Sequence, residues 1–205
     1  CYKCKNVLEP LPLEQWFVKV DNLKKQAIEA VKKGKIKITP KRFEAIYFDW
    51  LENLRDWNIS RQIVWGIRIP AYKCQRQATS DKRQAEIDWF VSVEKPDKCQ
   101  ICGECDFEQD QDTLDTWFSS GQWPVVALMS NSNEKLKIKN EKSDFERFYP
   151  TNVMETGYDL LKVWVCRMIM MGLYITQEVP FKDILFHGLV NDPYGKKMSK
   201  SKGNV

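Results

Sequence analysis

The chain has 205 residues, of which 43% are hydrophobic and 29% charged, with a formal net charge of +4. That content excludes a disordered polar chain and allows a buried core in one large domain or two small ones, while so mild a basic excess permits a nucleic-acid partner without demanding one. The longest apolar run, Val163 to Ile175, is broken by Arg167 and falls short of the ~20 residues a bilayer needs, and no charged-then-apolar leader precedes it, so the expectation is a cytoplasmic protein with no membrane contact.

Seven cysteines, odd in number and partly in C-x-x-C spacing, fit a reducing compartment with metal-bound or unbridged thiols better than a disulfide framework. Cys1-Tyr2-Lys3-Cys4 opens the chain as half of a zinc knuckle, which reads as a chain cut in mid-domain. The segment from Val7 to Pro12 is extended and proline-stiffened, and Gln15 to Val18 is a short apolar strand. Asp21 is expected to cap a helix through Val31, with Leu23, Ala27, Ile28 and Val31 on one face and Gly34 just past its end. Ile36 and Ile38 alternate with lysines as a short strand. Thr39-Pro40 then starts a second helix whose Phe43, Ile46, Tyr47, Trp50, Leu51 and Leu54 recur at helical spacing and are expected in the core.

Between Leu54 and Pro70 a mix of Trp, Ser, Arg, Gln and Gly flanked by apolar runs suggests polar groups at the edge of a pocket, or a helix end with a satisfied polar network. Cys74, Cys99, Cys102 and Cys105 follow in a polar stretch. A zinc ribbon needs two C-x-x-C pairs; here the partner position for Cys74 is Gln77, a poor ligand, and Cys105 is the alternative fourth thiol. Ser119-Ser120-Gly121 lacks a G-x-S-x-G elbow, and the one histidine, His187, lies in another block, so no serine nucleophile is expected. Residues 131–144 read as a surface loop.

The chain then turns α/β. Asn152 to Thr156 reads as a strand, Gly157 to Asp159 as a turn, Leu160 to Gly172 as a helix apolar nearly all round, and Ile184 to His187 as a second strand. In such a βαβ unit ligands bind at the carboxyl ends of the strands, where Gly157, Asp159, His187 and Gly188 fall. Asp159 suits ribose hydroxyls; as a helix N-cap it would carry no ligand. His187 alone would more often be a structural hydrogen-bonding residue. A turn at Asn191 to Gly195 leads into Lys196-Lys197-Met198-Ser199-Lys200-Ser201-Lys202-Gly203-Asn204. Four lysines among hydroxyl residues and glycine can wrap a polyphosphate with point charges and N–H donors, although a tail of that composition is more often a solvated loop.

Several of these blocks resemble class I aminoacyl-tRNA synthetases. Lys197-Met198-Ser199-Lys200-Ser201 matches their K-M-S-K-S signature. Trp57-Asn58-Ile59-Ser60-Arg61-Gln62 with Trp65-Gly66 resembles a W-C-I-S-R-Q-x-x-W-G block of the valyl and isoleucyl families, with Asn58 for Cys. Asp115-Thr116-Trp117-Phe118-Ser119-Ser120-Gly121 and Thr156-Gly157-Tyr158-Asp159 with Trp164 and Arg167-Met168-Ile169 are similar to the valyl wording, departing at Lys162, Val163 and Cys166. The resemblance implies the second half of a Rossmann-type nucleotide fold with an inserted, zinc-ribbon-like connective module. The divisions are 1–71, a catalytic segment following an editing insertion; 72–112, the ribbon; and 113–205, the second half of the fold with its terminal loop.

Its functional implication is ATP-dependent activation of valine to valyl-adenylate and transfer to tRNA(Val), by an enzyme monomeric at full length, this piece alone being inactive. Lys197 and Lys200 would be the catalytic cations. Gly157, Asp159, His187, Gly188, Leu189, Met198, Ser199 and Ser201 would join them around ATP, and Trp57 and Trp164 would wall the amino-acid pocket. Mg2+ would accompany ATP, and Zn2+, if bound, would use Cys74, Cys99, Cys102 and Cys105. Such an apolar slot rejects threonine by only about a hundredfold, a limit of which valyl-tRNA synthetase is itself the standing illustration, hence the editing domain. The rival readings are an isoleucyl-type enzyme and a non-catalytic module that binds RNA or a partner protein.

Overall fold

The computed structural model describes residues 1, 4–9, 11–75, 89–99, 103, 106–130, 142–200 and 203–204, with Ser130 as backbone alone. In chain order these form β1 (Phe17–Val18), α1 (Asp21–Lys32), β2 (Lys37–Thr39), α2 (Arg42–Glu52), β3 (Trp57–Asn58), β4 (Ser60–Arg61), β5 (Ala71–Cys74) and β6 (Trp89–Val91). Then come β7 (Phe107–Gln109), β8 (Thr113–Leu114), α3 (Thr116–Ser120), α4 (Trp123–Ser130), α5 (Asp144–Phe148), β9 (Thr151–Gly157), α6 (Cys166–Thr176) and β10 (Phe181–His187). The chain divides into two compact units, Cys1–Val18 with Asn58–Leu114, and Lys19–Trp57 with Asp115–Val205.

The second, larger unit is built on a parallel three-stranded sheet in the order β2-β10-β9. Ile184 of β10 stands beside Ile38 and Met154 in register, and His187 pairs with Gly157 at the carboxyl end. The parallel β9–β10 pair needs a crossover, and α6 supplies it. Ile38, Met154, Ile184 and Phe186 join Ala27, Tyr47, Leu51, Met168 and Ile169 from α1, α2 and α6 in one buried cluster. The other side of the sheet is open, with Val153 56% and Leu185 42% exposed.

Local chemistry explains the helix ends. Gly34 sits at φ +69°, the left-handed region glycine enters at no steric cost, and Lys35 N–H returns to Ala30 O at 2.9 Å to close α1. Three expectations need correction. Val20, not Asp21, holds the N-cap position, and Asp21 lies in the first turn with Lys24 Nζ 3.0 Å from its carboxylate. In α2 the apolar stripe is narrower than the spacing suggests: Phe43, Tyr47 and Leu51 are buried, but Ile46 is 40% exposed.

The single helix expected from Leu160 is three segments, a 3-10 turn at Tyr158–Leu160, a π turn at Leu161–Val165, and then α6. Cys166 N–H bonds Leu161 O, five residues back, so the wider turn shifts the register of what precedes it by one residue. Lys162, one of the departures from the valyl pattern, faces solvent there, and Cys166 is fully buried.

Tyr47 is also fully buried and donates its hydroxyl to Ala27 O at 2.9 Å. Burial pushes its phenol well above the usual range, and pushes the Cys166 thiol up likewise. A thiol held neutral does not attack electrophiles. Alkylation of the native chain at pH 8 is therefore expected to label exposed Cys4 and to spare Cys166 until unfolding; early labelling of Cys166 in a peptide map would contradict the packing. Because the unfolded thiol ionises near its ordinary value of 9.0 and the folded one does not, this group favours the unfolded chain increasingly as pH rises past that point.

The smaller unit holds an antiparallel sheet in the order β6-β5-β7, with Tyr72 opposite Phe90 and Cys74 opposite Phe107, and a separate β4–β8 pair. Tyr72, Cys74, Cys99 and Phe107 form its buried cluster. Asn58, which stands where the valyl and isoleucyl pattern has Cys, donates to Gln15 Oε1 at 3.1 Å and accepts from Ser60 N–H at 3.0 Å. Gln62 donates to Asp112 Oδ2 at 2.8 Å. The polar mix of this stretch is thus a hydrogen-bonded network around β4. The expected loop 131–144 lies outside the described residues up to 141; beyond it Ser143 caps α5 in a reciprocal box with Glu146.

Candidate active site

Two clusters in the larger unit contain most of the expected site residues. The first sits where β9 and β10 end side by side. Gly157 leaves its Cα face open: a Cβ there would lie 2.7 Å from Asp159 Oδ1, 3.3 Å from Leu189 Cδ2 and 3.6 Å from His187 Cε1. Gly157, Asp159, His187 and Leu189 therefore share one spot, and a side chain at 157 would have to push the Asp159 carboxylate aside. His187 Nδ1 is 2.7 Å from Gly188 O; a carbonyl can only accept, so Nδ1 carries the proton and Nε2, 3.5 Å from Glu155 Oε1, is the outward nitrogen.

The lysine loop returns to this spot. Asn191 and Lys197 form an antiparallel bridge, Met198 N–H bonds Val190 O at 3.2 Å, and Lys197 Nζ reaches Asp159 Oδ2 at 2.5 Å. Lys197 therefore joins the strand-end residues directly. Gly188 has open space on its Cβ side. Lys200 is exposed, its carbonyl taking Gly203 N–H at 3.2 Å, and no ion pair joins its ammonium to a described residue. Ser201 lies outside the described residues.

The second cluster holds the two tryptophans. Trp57 donates Nε1–H to Asp115 Oδ2 at 3.0 Å, its ring lies 5.8 Å from that of Phe118, and the Arg167 guanidinium stacks 4.5 Å above it. Trp164, on the π turn, donates to Ser120 O at 3.2 Å with Trp123 6.1 Å away. Trp57 is more enclosed than an expected pocket wall, at 6% exposure, whereas Trp164 is half-buried. The buried Ser120 Oγ has no hydrogen-bond partner among the described residues.

Asp115 and Arg167 received no role from the sequence. The signal for Asp115 was present: an acidic residue before Thr-Trp-Phe is an N-cap pattern, and Asp115 does cap α3 through Trp117 N–H at 3.3 Å. Arg167, on an apolar helix, could be placed only by seeing Trp57 beneath it.

Of the four cysteines considered as metal ligands, Cys74 and Cys99 are buried together beside β5 and β7. Gly103, at φ +74°, donates its N–H to Cys99 O at 2.9 Å. Lys5, at φ +63°, donates its N–H to Cys1 O at 2.8 Å, and Cys4 N–H points at Cys1 Sγ at 3.5 Å. Cys102, Cys105 and Gln77 lie outside the described residues, among which no group of three or more metal ligands occurs.

The profile of the tRNA synthetases class I (I, L, M and V) matches residues 2–205. The chain belongs to that family. Within it, the chain is 46% identical over 205 residues to a valine--tRNA ligase of Dehalococcoides mccartyi (strain ATCC BAA-2266 / KCTC 15142 / 195), covering 100% of this chain and 21% of that protein. It is 49% identical over 202 residues to the valine--tRNA ligase of Clostridium acetobutylicum, covering 98% of this chain and again 21% of the relative. The chain thus spans about a fifth of the length of these relatives. Among solved structures it is similar to the agnB2 LeuRS of Agrobacterium radiobacter K84 in its ternary complex with tRNA and LeuAMS, with a TM-score of 0.55 and 25% identity over 74% of this chain and 22% of that one. The methionyl-tRNA synthetase of Mycobacterium tuberculosis bound by methionyl-adenylate shares the fold at a TM-score of 0.51, with 18% identity over 93% of this chain and 29% of that one. The mixed α/β architecture with its parallel sheet is thus shared with synthetase structures.

Proposed function

We infer that this chain is part of a valine–tRNA ligase, which activates valine with ATP to valyl-adenylate and pyrophosphate and then transfers the valyl group to the 3′ end of tRNA(Val). The observation that carries this reading is the meeting of Gly157, Asp159, His187, Leu189 and Lys197 at the carboxyl ends of parallel strands. Asp159 would accept from the ribose hydroxyls, Gly157 would let the nucleotide approach the backbone, and His187, Gly188 and Leu189 would border the adenine. Met198, Ser199 and Ser201 would lie along the phosphates. Trp57 and Trp164 would wall a small apolar slot for the valine side chain.

Attack of the valine carboxylate on the α-phosphorus displaces pyrophosphate, on which charge grows. Cations that meet this charge only as it develops lower the barrier selectively. Lys197 and Lys200 would have this role. Mg2+, bound by phosphate oxygens and water, would supply further neutralisation of that charge. The deciding experiment is valine-dependent ATP–pyrophosphate exchange by the full-length protein. Exchange supported by isoleucine in preference to valine would overturn the substrate assignment.

In the same reading residues 72–112 form the inserted connective module, and Cys74, Cys99, Cys102 and Cys105 would hold a structural zinc ion away from the chemistry. The presence of Cys74 and Cys99 in one buried cluster suits this role. Metal analysis of the purified protein is expected to find zinc that Cys99→Ser removes; equal zinc in both, or none in either, would withdraw the site.

A further inference from the structure

We propose that Asn204 and Asp192 are positioning residues that set the catalytic loop, an inference that rests on the function above and adds two side chains to it. Asp192 lies just after the strand exit. Its Oδ1 accepts from Tyr194 N–H at 3.0 Å and Lys196 N–H at 2.8 Å, while its own N–H bonds Lys196 O at 2.8 Å. These bonds close the hairpin that carries Lys197. Its other oxygen, Oδ2, accepts from Asn204 Nδ2 at 2.8 Å.

Asn204 then reaches both sides of Met198. Its Oδ1 accepts Ser199 N–H at 3.0 Å, and its Nδ2 also lies 3.3 Å from Lys197 O. One amide is thus tied to a carboxylate at the root of the loop and to the backbone of two residues at its working end. Opposite a carboxylate at residue 192 the position requires a donor and an acceptor on one short planar group, which asparagine has and aspartate, serine and leucine lack. A lysine-rich loop left to itself would sample many conformations, and the cations would meet the phosphates in only a few of them. The clasp narrows that set from the far side, without touching substrate.

The test uses the full-length protein with Asn204→Asp, Asp192→Asn and the two combined. Asn204→Asp removes the donor and faces two carboxylates across 2.8 Å. The combined pair exchanges donor and acceptor across the 2.8 Å contact: the amide now on residue 192 gives its N–H to the carboxylate now on residue 204, which still accepts from Ser199 and loses only the longer 3.3 Å bond to Lys197 O. Asn204→Asp is expected to lower kcat of valine-dependent exchange by about tenfold or more, leaving KM for valine, the thermal midpoint and single-turnover transfer from preformed adenylate unchanged. The exchanged pair is expected to return to within about threefold of wild type, as coupled neighbours do.

Exchange by Asn204→Asp within twofold of wild type, a loss the exchanged pair does not recover, or an equal loss in the transfer step would each overturn the clasp. If wild type supports valine-dependent exchange and Lys200→Ala abolishes it while Asn204→Asp is neutral, the clasp alone falls. If wild type shows no such exchange, the function and the clasp fall together.

Discussion

Lys200→Ala in the full-length protein is expected to slow valyl-adenylate formation about a hundred- to a thousandfold, or about 2.7–4 kcal/mol of transition-state stabilisation, the scale of losing one preorganised donor to a developing anion. Lys200 is the sharper test of the two cations because its ammonium has no ion pair among the described residues, whereas Lys197 is already held on Asp159. Removing Lys197 changes the resting loop as well as the transition state. Removing Lys200 leaves the clasp around Asn204 in place, since that clasp engages Lys197 O and Ser199 N–H. Valine-dependent pyrophosphate exchange measures the step. Unchanged exchange would end the role assigned to the loop.

Asp115→Ala is expected to cost about 2–4 kcal/mol of stability and to raise KM for valine. Asp115 is 3% exposed and does two things: it caps α3 and accepts from Trp57 Nε1. Loss of a cap costs about 0.5–2 kcal/mol, and a buried indole N–H left without an acceptor about 1–3 kcal/mol. Phe118 and Arg167, which also meet the Trp57 ring, cannot satisfy its N–H. Asp115→Asn keeps an acceptor and should recover much of the loss. A thermal-unfolding midpoint and a KM for valine both equal to wild type would show that Asp115 supports neither the helix nor the tryptophan.

The fold was legible wherever local signals agreed with burial. The strand at Ile36 to Ile38, the helix ended by Gly34, and the βαβ run from Asn152 to His187 all follow from periodicity, turn chemistry and the requirement for a crossover. Ile46 misled because a repeat marks the stripe but not its width. The π turn was invisible, since an extra residue in a helical turn leaves no mark on an apolar run such as Leu161 to Val165.

At the site, motif letters named Gly157, Asp159, His187 and Lys197; the register of β9 and β10 puts Gly157 beside His187, and the turn that follows brings Asp159 to the same spot. The second layer was not legible. Arg167 over Trp57 and Asn204 on Asp192 are contacts between residues far apart or separated by a turn, and their residue types carry no distance. Asn58 has a clear physical account as the centre of a polar network with Gln15 and Ser60.

The contact between Lys197 and Asp159 also makes the resting loop sensitive to salt and, under the proposed function, to nucleotide. At 57% and 32% side-chain exposure the pair is open to water, so the link is worth only about 0–1 kcal/mol and weakens further when ions screen it over about 8 Å. If Asp159 takes the ribose as proposed, a hydroxyl seeking Oδ2 would meet little resistance from the ammonium already there. Under the proposed function the displaced ammonium would be released beside the incoming triphosphate, so that a single carboxylate oxygen would trade one partner for another and arm the loop in the same motion.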